Sequence, residues 1–430
     1  MSVLDQKLGK NEKQPFVGSM ANAQRSAPKD ALAGVKVVEF GAYAAGPCIS
    51  KYLANFGALV VHVESQQRPD GFRLQYPPFK DGKVGLNRSG CFAFFNDSKH
   101  GVTLDLKNDE GLKLAYRLVE WSDIVIENMR PGVMSRLGLD YEALRERKPD
   151  LIMLSTSNMG QTGPHATHPG FGSQLSSLSG FTHLIGEPDG PPYFLYGPYI
   201  DFVAVAFGGI AVLAALDHRR RTGEGAYIDL SQYETGVQFI SSALLDYSAN
   251  GAIANRDGNR DAGAAPHGCY PCKRDEWCVI TCWDHQEWER LCHAAEQSSW
   301  LSDARFVTLR QRKENERELN QLIGAWTREH SAEHLMWHLQ TRGVHAAKVN
   351  SIEELFTDPQ IAFRNIWQKH EHPEMGDHAY RMVSYELSET PGSVRRAAPC
   401  LGADNEEVFR SWLGLTRKEY EDLRKSGAFS

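Results

Sequence analysis

Apolar and polar positions along this chain follow two different periods, and the points where the period changes mark its elements. "GVKVVEF" (34–40) is a short apolar run of the kind found in a strand buried on both faces. "PCISKYLANFG" (47–57) has helical spacing, with Pro47 in its first turn and Gly57 at its end. "ALVVHVES" (58–65) is a second apolar strand. Strand, helix and strand in so short a space make a βαβ unit, and its crossover sets the strands parallel. The pattern recurs: strand 100–107, amphipathic helix 109–122, strand 123–128, helix 141–148 and strand 150–157. From Gly34 to about Gly160 the chain is expected to form an open α/β sheet.

A longer apolar run follows. Asp201 stands immediately before residues 202–216, which carry no charge at all, and "HRRRTGEG" comes soon after. The run is shorter than the ~18 to 20 residues that cross a bilayer, and Gly208 and Gly209 interrupt it. A buried core helix is expected, with no membrane partner. Asp201 at its start fits a helix N-cap, since a carboxylate accepts the orphan N–H groups of a first turn.

The remaining pattern divides the chain. Residues 1–31 read as a polar arm and 32–248 as a large α/β domain, followed by a linker rich in Gly, Ala, Asn and Asp at 249–267. A small α+β domain is expected over 268–349 and a second linker over 350–365. The segment 366–430 would then complete the large domain, ending in one amphipathic helix with Val408, Trp412, Leu413 and Tyr420 on its apolar face.

Composition narrows the class. The chain has 430 residues, too many for one ordinary core, with 41% hydrophobic and 23% charged residues, as in soluble globular proteins. A net charge of -7 announces no basic surface for nucleic acid. The opening thirty residues hold no apolar stretch that could direct export, so a cytoplasmic location and eight reduced cysteines are expected. Cys269, Cys272, Cys278, Cys282, Cys292 and His293 crowd together, but the single C-x2-C does not repeat as structural zinc sites do, and no metal is assigned. Cys278 and Cys282 fall on one face of an alternating strand and read as small core residues.

In an open α/β sheet, ligands gather at the carboxyl ends of the strands. The first such loop, "GAYAAGP" (41–47), lacks the opening G-x-G of a dinucleotide fold, so Glu64 has little support as a ribose-binding acid.

The order "VVEFGAYAAGP", "VVHVESQQRPDGFR", "GVTLDLK", "IVIENMRPGVMSRLGLDYEAL", "HPGFGSQLSSLSG" and then Asp201 before "GGIAVLAALDHRRRTGEGAYIDLSQYE" resembles the class III CoA-transferases, the family of formyl-CoA and carnitine CoA-transferases. The likeness runs from about Leu32 to the C-terminus. It implies a Rossmann-like large domain, a smaller α+β domain and an interlocked dimer whose chains thread one another. It also implies CoA and acyl-CoA as substrates, with no permanently bound cofactor, and a carboxylic acid as acceptor.

By the same resemblance Asp201 is the nucleophile. Ala44, Ala45, Leu104, Asp105, Leu106, Lys107 and Asn128 would line the CoA groove, with Arg130, Arg136 and Lys99 supplying cations for its phosphates. Ser65 stands where formyl-CoA enzymes have arginine, so one contact would be made differently. Phe171, Gly172 and Tyr199 would border the acyl pocket, whose aromatic upstream segment "PPYFLYGPYI" suits a bulky acid. The segment "DAGAAPHG" (261–268) lacks the run of glycines seen in some relatives, which leaves the oxyanion donors open. The family's α-methylacyl-CoA racemases pair the aspartate with a histidine, but this chain has "PGFG" there, and Phe171 cannot exchange protons. Some members pair two unlike homologous chains, as benzylsuccinate CoA-transferase does, so a heteromer stands beside the homodimer.

Overall fold

The computed structural model describes residues 30–430, so the arm expected over 1–31 lies outside it except for Asp30 and Ala31. Six strands form the main sheet: β1 (Lys36–Phe40), β2 (Leu59–Glu64), β3 (His100–Thr103), β4 (Ile124–Glu127), β5 (Ile152–Ser157) and β6 (Ala226–Ser231). Their order is β3-β2-β1-β4-β5-β6 and every pairing is parallel. The order reverses between β1 and β4. There the loops leave in opposite directions and open a crevice at the carboxyl ends of the strands.

Both faces of the sheet are covered, which is why β4 and β5 read as unbroken apolar runs and are buried along their length. Helices Ala45–Asn55 and Tyr199–Thr222 cover one face. Helix Asp109–Trp121 covers the other, joined by Val408, Phe409 and Phe429 from the end of the chain.

Three expectations are corrected. The strand expected over 100–107 ends at Thr103, because β3 is an edge strand and Asp105 gives its N–H to the Ala428 carbonyl instead. The single C-terminal helix is two, a π-helical turn at Glu407–Trp412 and a helix at Arg417–Lys425. Gly414, at φ +75°, takes the left-handed conformation that ends the first, and Thr416 caps the second. The segment still docks on the large sheet, with Trp412 stacked on Trp121 at 5.4 Å.

The third correction concerns the long helix. It runs 24 residues, Tyr199–Thr222, and by length and composition could cross a membrane. One face, including Ala204, Val205, Gly208 and Val212, packs into the core. A Cβ on Gly208 would stand 2.4 Å from Ile49 Cδ1, so glycine here sets the close crossing with helix Ala45–Asn55. Phe202, Phe207, Ile210 and Leu213 lie on the surface of the chain. A helix apolar all round gives no period from which a single buried face can be read.

A smaller antiparallel sheet, β7 (His267–Pro271), β8 (Trp277–Thr281) and β9 (His345–Lys348), carries its own core of Cys278, Ile280, Cys282, Trp288, Leu291 and Leu335. Cys278 and Cys282 share its buried side, as alternation predicts. The hairpin β10 (Trp367–His372) and β11 (Gly376–Arg381) then sends Tyr380, with Met382 just beyond it, back into the core of the large sheet.

Candidate functional site

The crevice is bridged by Asn128, the first residue after β4. Its Oδ1 accepts the Ala42 N–H at 2.9 Å, and its Nδ2 donates to the Ala42 carbonyl at 2.7 Å. The next residue, Tyr43, is held at φ +64°, an uncommon conformation for a residue with a side chain. Both oxygens of Asp70 take its N–H at 3.1 Å. Burial of Asp70, reinforced by Glu64, outweighs His62 and these amides and lifts its pKa to about 6.

Asp201 lies one helix away. It is not the N-cap expected from its position: Pro198 occupies that place, and Asp201 is the third residue of helix Tyr199–Thr222. Its carboxylate accepts no hydrogen bond and forms no ion pair among the described residues. It keeps part of its surface open to solvent, yet the atoms packed around the carboxyl raise its pKa to about 7, with burial the cause. The helix N-terminus favours the anion, but within one turn this is worth at most ~1 to 2 kcal/mol, and burial prevails. An acid without partners in a cleft is available as a base or a nucleophile near neutral pH.

Gly172 packs directly against it. A Cβ there would stand 2.7 Å from Asp201 Oδ2 and 2.6 Å from Pro198 Cβ. Phe171, 57% exposed, meets the Tyr43 ring at 5.9 Å. Tyr43 also packs edge-on to Phe72 at 5.3 Å and Tyr76 at 6.4 Å, and its hydroxyl donates to Gln75 Oε1 at 2.9 Å. An aromatic wall therefore joins the loop after β1 to the neighbourhood of Asp201.

The structure thus brings Ala44, Ala45, Asn128, Phe171, Gly172 and Asp201 to one region. Ala44 and Ala45 have buried side chains, so this loop can offer a ligand only its backbone. Arg130 and Arg136 are exposed on the segment after β4, within reach of solvent. Residues 104–107 lie beyond β3 at the sheet edge, two strand spacings or ~10 Å from β1, with Leu104 buried.

Lys99 is placed differently. It is fully buried, with Nζ 2.7 Å from Glu39 Oε2 and 2.8 Å from Asn96 Oδ1, and does not face the groove. Glu64 is likewise engaged, by Arg73 at 2.7 Å and by the Asp70 N–H. Tyr199 packs on Phe181 at 5.7 Å and Phe239 at 5.8 Å, apart from the aromatic wall. Tyr193, Phe194 and Tyr196, read as pocket walls, are exposed. The segment 261–268 is folded into the small domain, where Ala264 and Ala265 are buried.

Two residues of this region were not singled out from the sequence. Tyr43 lay in view as the one large side chain of "GAYAAGP", and Asp70 as the acid of "RPDGFR" before a glycine, where aspartate commonly caps a turn.

Comparison with known proteins bears on the family and the fold. The model of CoA-transferase family III matches residues 32–405. Succinyl-CoA--D-citramalate CoA-transferase of Chloroflexus aurantiacus is 35% identical over 398 residues, covering 92% of this chain and 98% of that protein. The alpha subunit of succinyl-CoA--L-malate CoA-transferase of the same organism is 32% identical over 396 residues, 91% of each chain. The crystal structure of a CAIB/BAIF family protein from Brucella suis superposes with a TM-score of 0.83 at 29% identity, covering 90% of this chain and all of that one. The chain belongs to CoA-transferase family III.

Proposed function

We propose that this protein moves CoA from an acyl-CoA donor to a carboxylic acid through covalent intermediates on Asp201. The observation that carries the reading is the carboxylate of Asp201, free of any partner among the described residues and lying against Gly172 at the crevice of a family III fold.

In the first step Asp201 attacks the thioester carbonyl, forming a mixed anhydride and expelling CoA thiolate. The thiolate attacks the aspartyl carbonyl, which releases the donor's carboxylate and leaves an aspartyl-CoA thioester. The acceptor carboxylate attacks that thioester and again frees the thiolate, which takes the acceptor's acyl group and returns Asp201 as a carboxylate. No net proton or electron is consumed. The backbone of Ala44 and Ala45, together with Asn128, Arg130, Arg136 and residues 104–107, holds CoA in this scheme, the arginines through charge-assisted contacts to phosphate.

Succinyl-CoA is the proposed donor and a small dicarboxylic acid the proposed acceptor. This follows the names of the relatives, which act on citramalate and malate. The racemase alternative needs a second base opposite Asp201, and Phe171 and Gly172 supply none. Two chains are proposed to interlock, the second covering Phe207, Ile210 and Leu213. A homodimer is the first form proposed, and the alpha-subunit relative keeps an unlike partner as the second.

The test is direct. The purified chain, alone, is incubated with succinyl-CoA and a panel of acids while new thioesters are followed by chromatography. Hydroxylamine added after succinyl-CoA should mark Asp201 as a hydroxamate. Absence of transfer to every acid, by the chain alone and in its native assembly, would reject the reading.

A further inference from the structure

A cavity of about 480 Å³ lies between β7, the linker before it and helix Glu316–Thr327. Arg317, Asn320, Gly324 and Arg328 line one wall, spaced three, four and four apart, so they form a single stripe along the helix and its end. The opposite stripe, Leu319 and Ile323, is fully buried in the small-domain core. Amphipathicity therefore fixes which way the polar stripe points.

The charges in this cavity do not balance. Arg260 reaches Asp257 at 3.6 Å and Glu316 at 3.7 Å, but Glu316 is already held by Lys313 at 2.8 Å. Arg328 donates only to the Gly324 carbonyl, at 3.2 Å, and Arg317 has no hydrogen bond or ion pair among the described residues. With Arg260 so paired, Glu187 is the one carboxylate among the described lining residues, against the two guanidinium groups of Arg317 and Arg328. Like charges around a shared cavity repel unless an anion enters.

The shape agrees. Arg317 and Arg328 are eleven residues apart, ~16 Å along a helix. Gly324, one turn before Arg328, keeps the wall between them low: a Cβ there would touch Pro271 Cδ at 3.8 Å and Arg328 Nη1 at 3.9 Å, so any side chain beyond Cβ would fill space beside that guanidinium. None of these residues belongs to the region around Asp201.

We propose that this cavity is a second anion site, which takes a small multivalent oxyanion in the planar forks of Arg317 and Arg328. Its chemistry fits both the phosphates of a nucleotide and the carboxylates of a small acid, and the assay separates them. The full-length protein is titrated calorimetrically with inorganic pyrophosphate and, separately, with succinate.

Arg317→Ala and Arg328→Ala should each weaken the anion that binds by about tenfold, and the double variant should lose it, because each substitution removes one charge-assisted contact. Arg317→Lys should retain part of the affinity. The titrations are run with CoA saturating, which occupies the site proposed around Asp201, and circular dichroism should show all variants folded, since both arginines are exposed. Failure of both anions to bind under these conditions would overturn the proposal. So would binding that survives in the folded double variant.

Discussion

A β-carbon added to Gly172 would stand 2.7 Å from Oδ2 of Asp201, closer than two such atoms can approach. The backbone at 172 therefore defines one side of the carboxylate's space. Gly172→Ala is expected to displace Asp201 or Pro198, lowering kcat for CoA transfer more than it raises KM. The overpacking cost should be about 1 to 3 kcal/mol of stability. Steady-state kinetics with denaturant melts check both, and an unchanged kcat would mean that Asp201 tolerates the shift.

Asp201 itself should be decisive. Asp201→Asn removes the proposed nucleophile while keeping shape, so turnover should fall by roughly three orders of magnitude or more, with CoA still bound. In the parent enzyme kcat/KM should rise with pH through about 7, because the reactive form is the anion and burial holds the pKa there. The stability linkage has the opposite sign. Between the ordinary 3.8 and about 7 the folded state keeps a proton that the unfolded chain releases, so ionisation costs stability as pH rises. The Asn variant should therefore gain in Tm over the parent at pH 8 and not at pH 4.

Tyr43 offers a test of backbone strain. At φ +64° it occupies a region that glycine enters freely, and the Asp70 carboxylate anchors its N–H. Tyr43→Ala loses the aromatic packing and keeps the strain, whereas Tyr43→Gly loses the packing and relieves it. The glycine variant should be the more stable of the two by about 1 kcal/mol, the usual cost of a left-handed non-glycine residue. Equal melting of the two would show that the loop relaxes when the ring is gone.

Much of this was legible in the sequence because the strands are short, apolar and separated by capped helices. β1, β2, β4 and β5 lie within a residue or two of their expected bounds. What the pattern could not tell was where side chains with two uses would go. Lys99, a cation beside the run 104–107 expected to line the CoA groove, is drawn inward by Glu39, whose burial in β1 requires a partner. A helix apolar on every side, Tyr199–Thr222, hides which face is covered. Gly414 broke the last helix because a glycine within helical spacing can be either tolerated or used as a stop.

The exposed face of that helix leads to an assembly prediction. Phe207, Ile210 and Leu213 are at least 41% exposed, and monomers rarely leave such residues contiguous along a helix. Sedimentation should show a dimer that persists on dilution, since linked chains cannot part without unfolding. Ile210→Asp should give misassembled or aggregated chain. A folded, active monomer at low concentration would refute the interlocked arrangement.

Lys99 gives the sharpest separation between binding and folding roles. Burial by itself would raise the Glu39 pKa, but Lys99 and His62 together hold it far below the ordinary carboxylate range. Replacing Lys99 by Met removes the ammonium from this wholly buried cluster and leaves Glu39 only His62 and the Ser50 hydroxyl, which should cost about 3 to 5 kcal/mol. The CoA affinity of the surviving folded fraction should be unchanged, because Nζ points at Glu39 and Asn96 rather than the groove. The pH signature follows from the depressed carboxylate. Its stabilisation is present above the ordinary 4.5 and is lost as pH falls toward the folded-state value, so the parent should lose stability on acidification more steeply than Lys99→Met. Calorimetric CoA titration and melts from pH 7 to pH 4 distinguish the roles: weakened CoA binding with normal stability would return Lys99 to the CoA site.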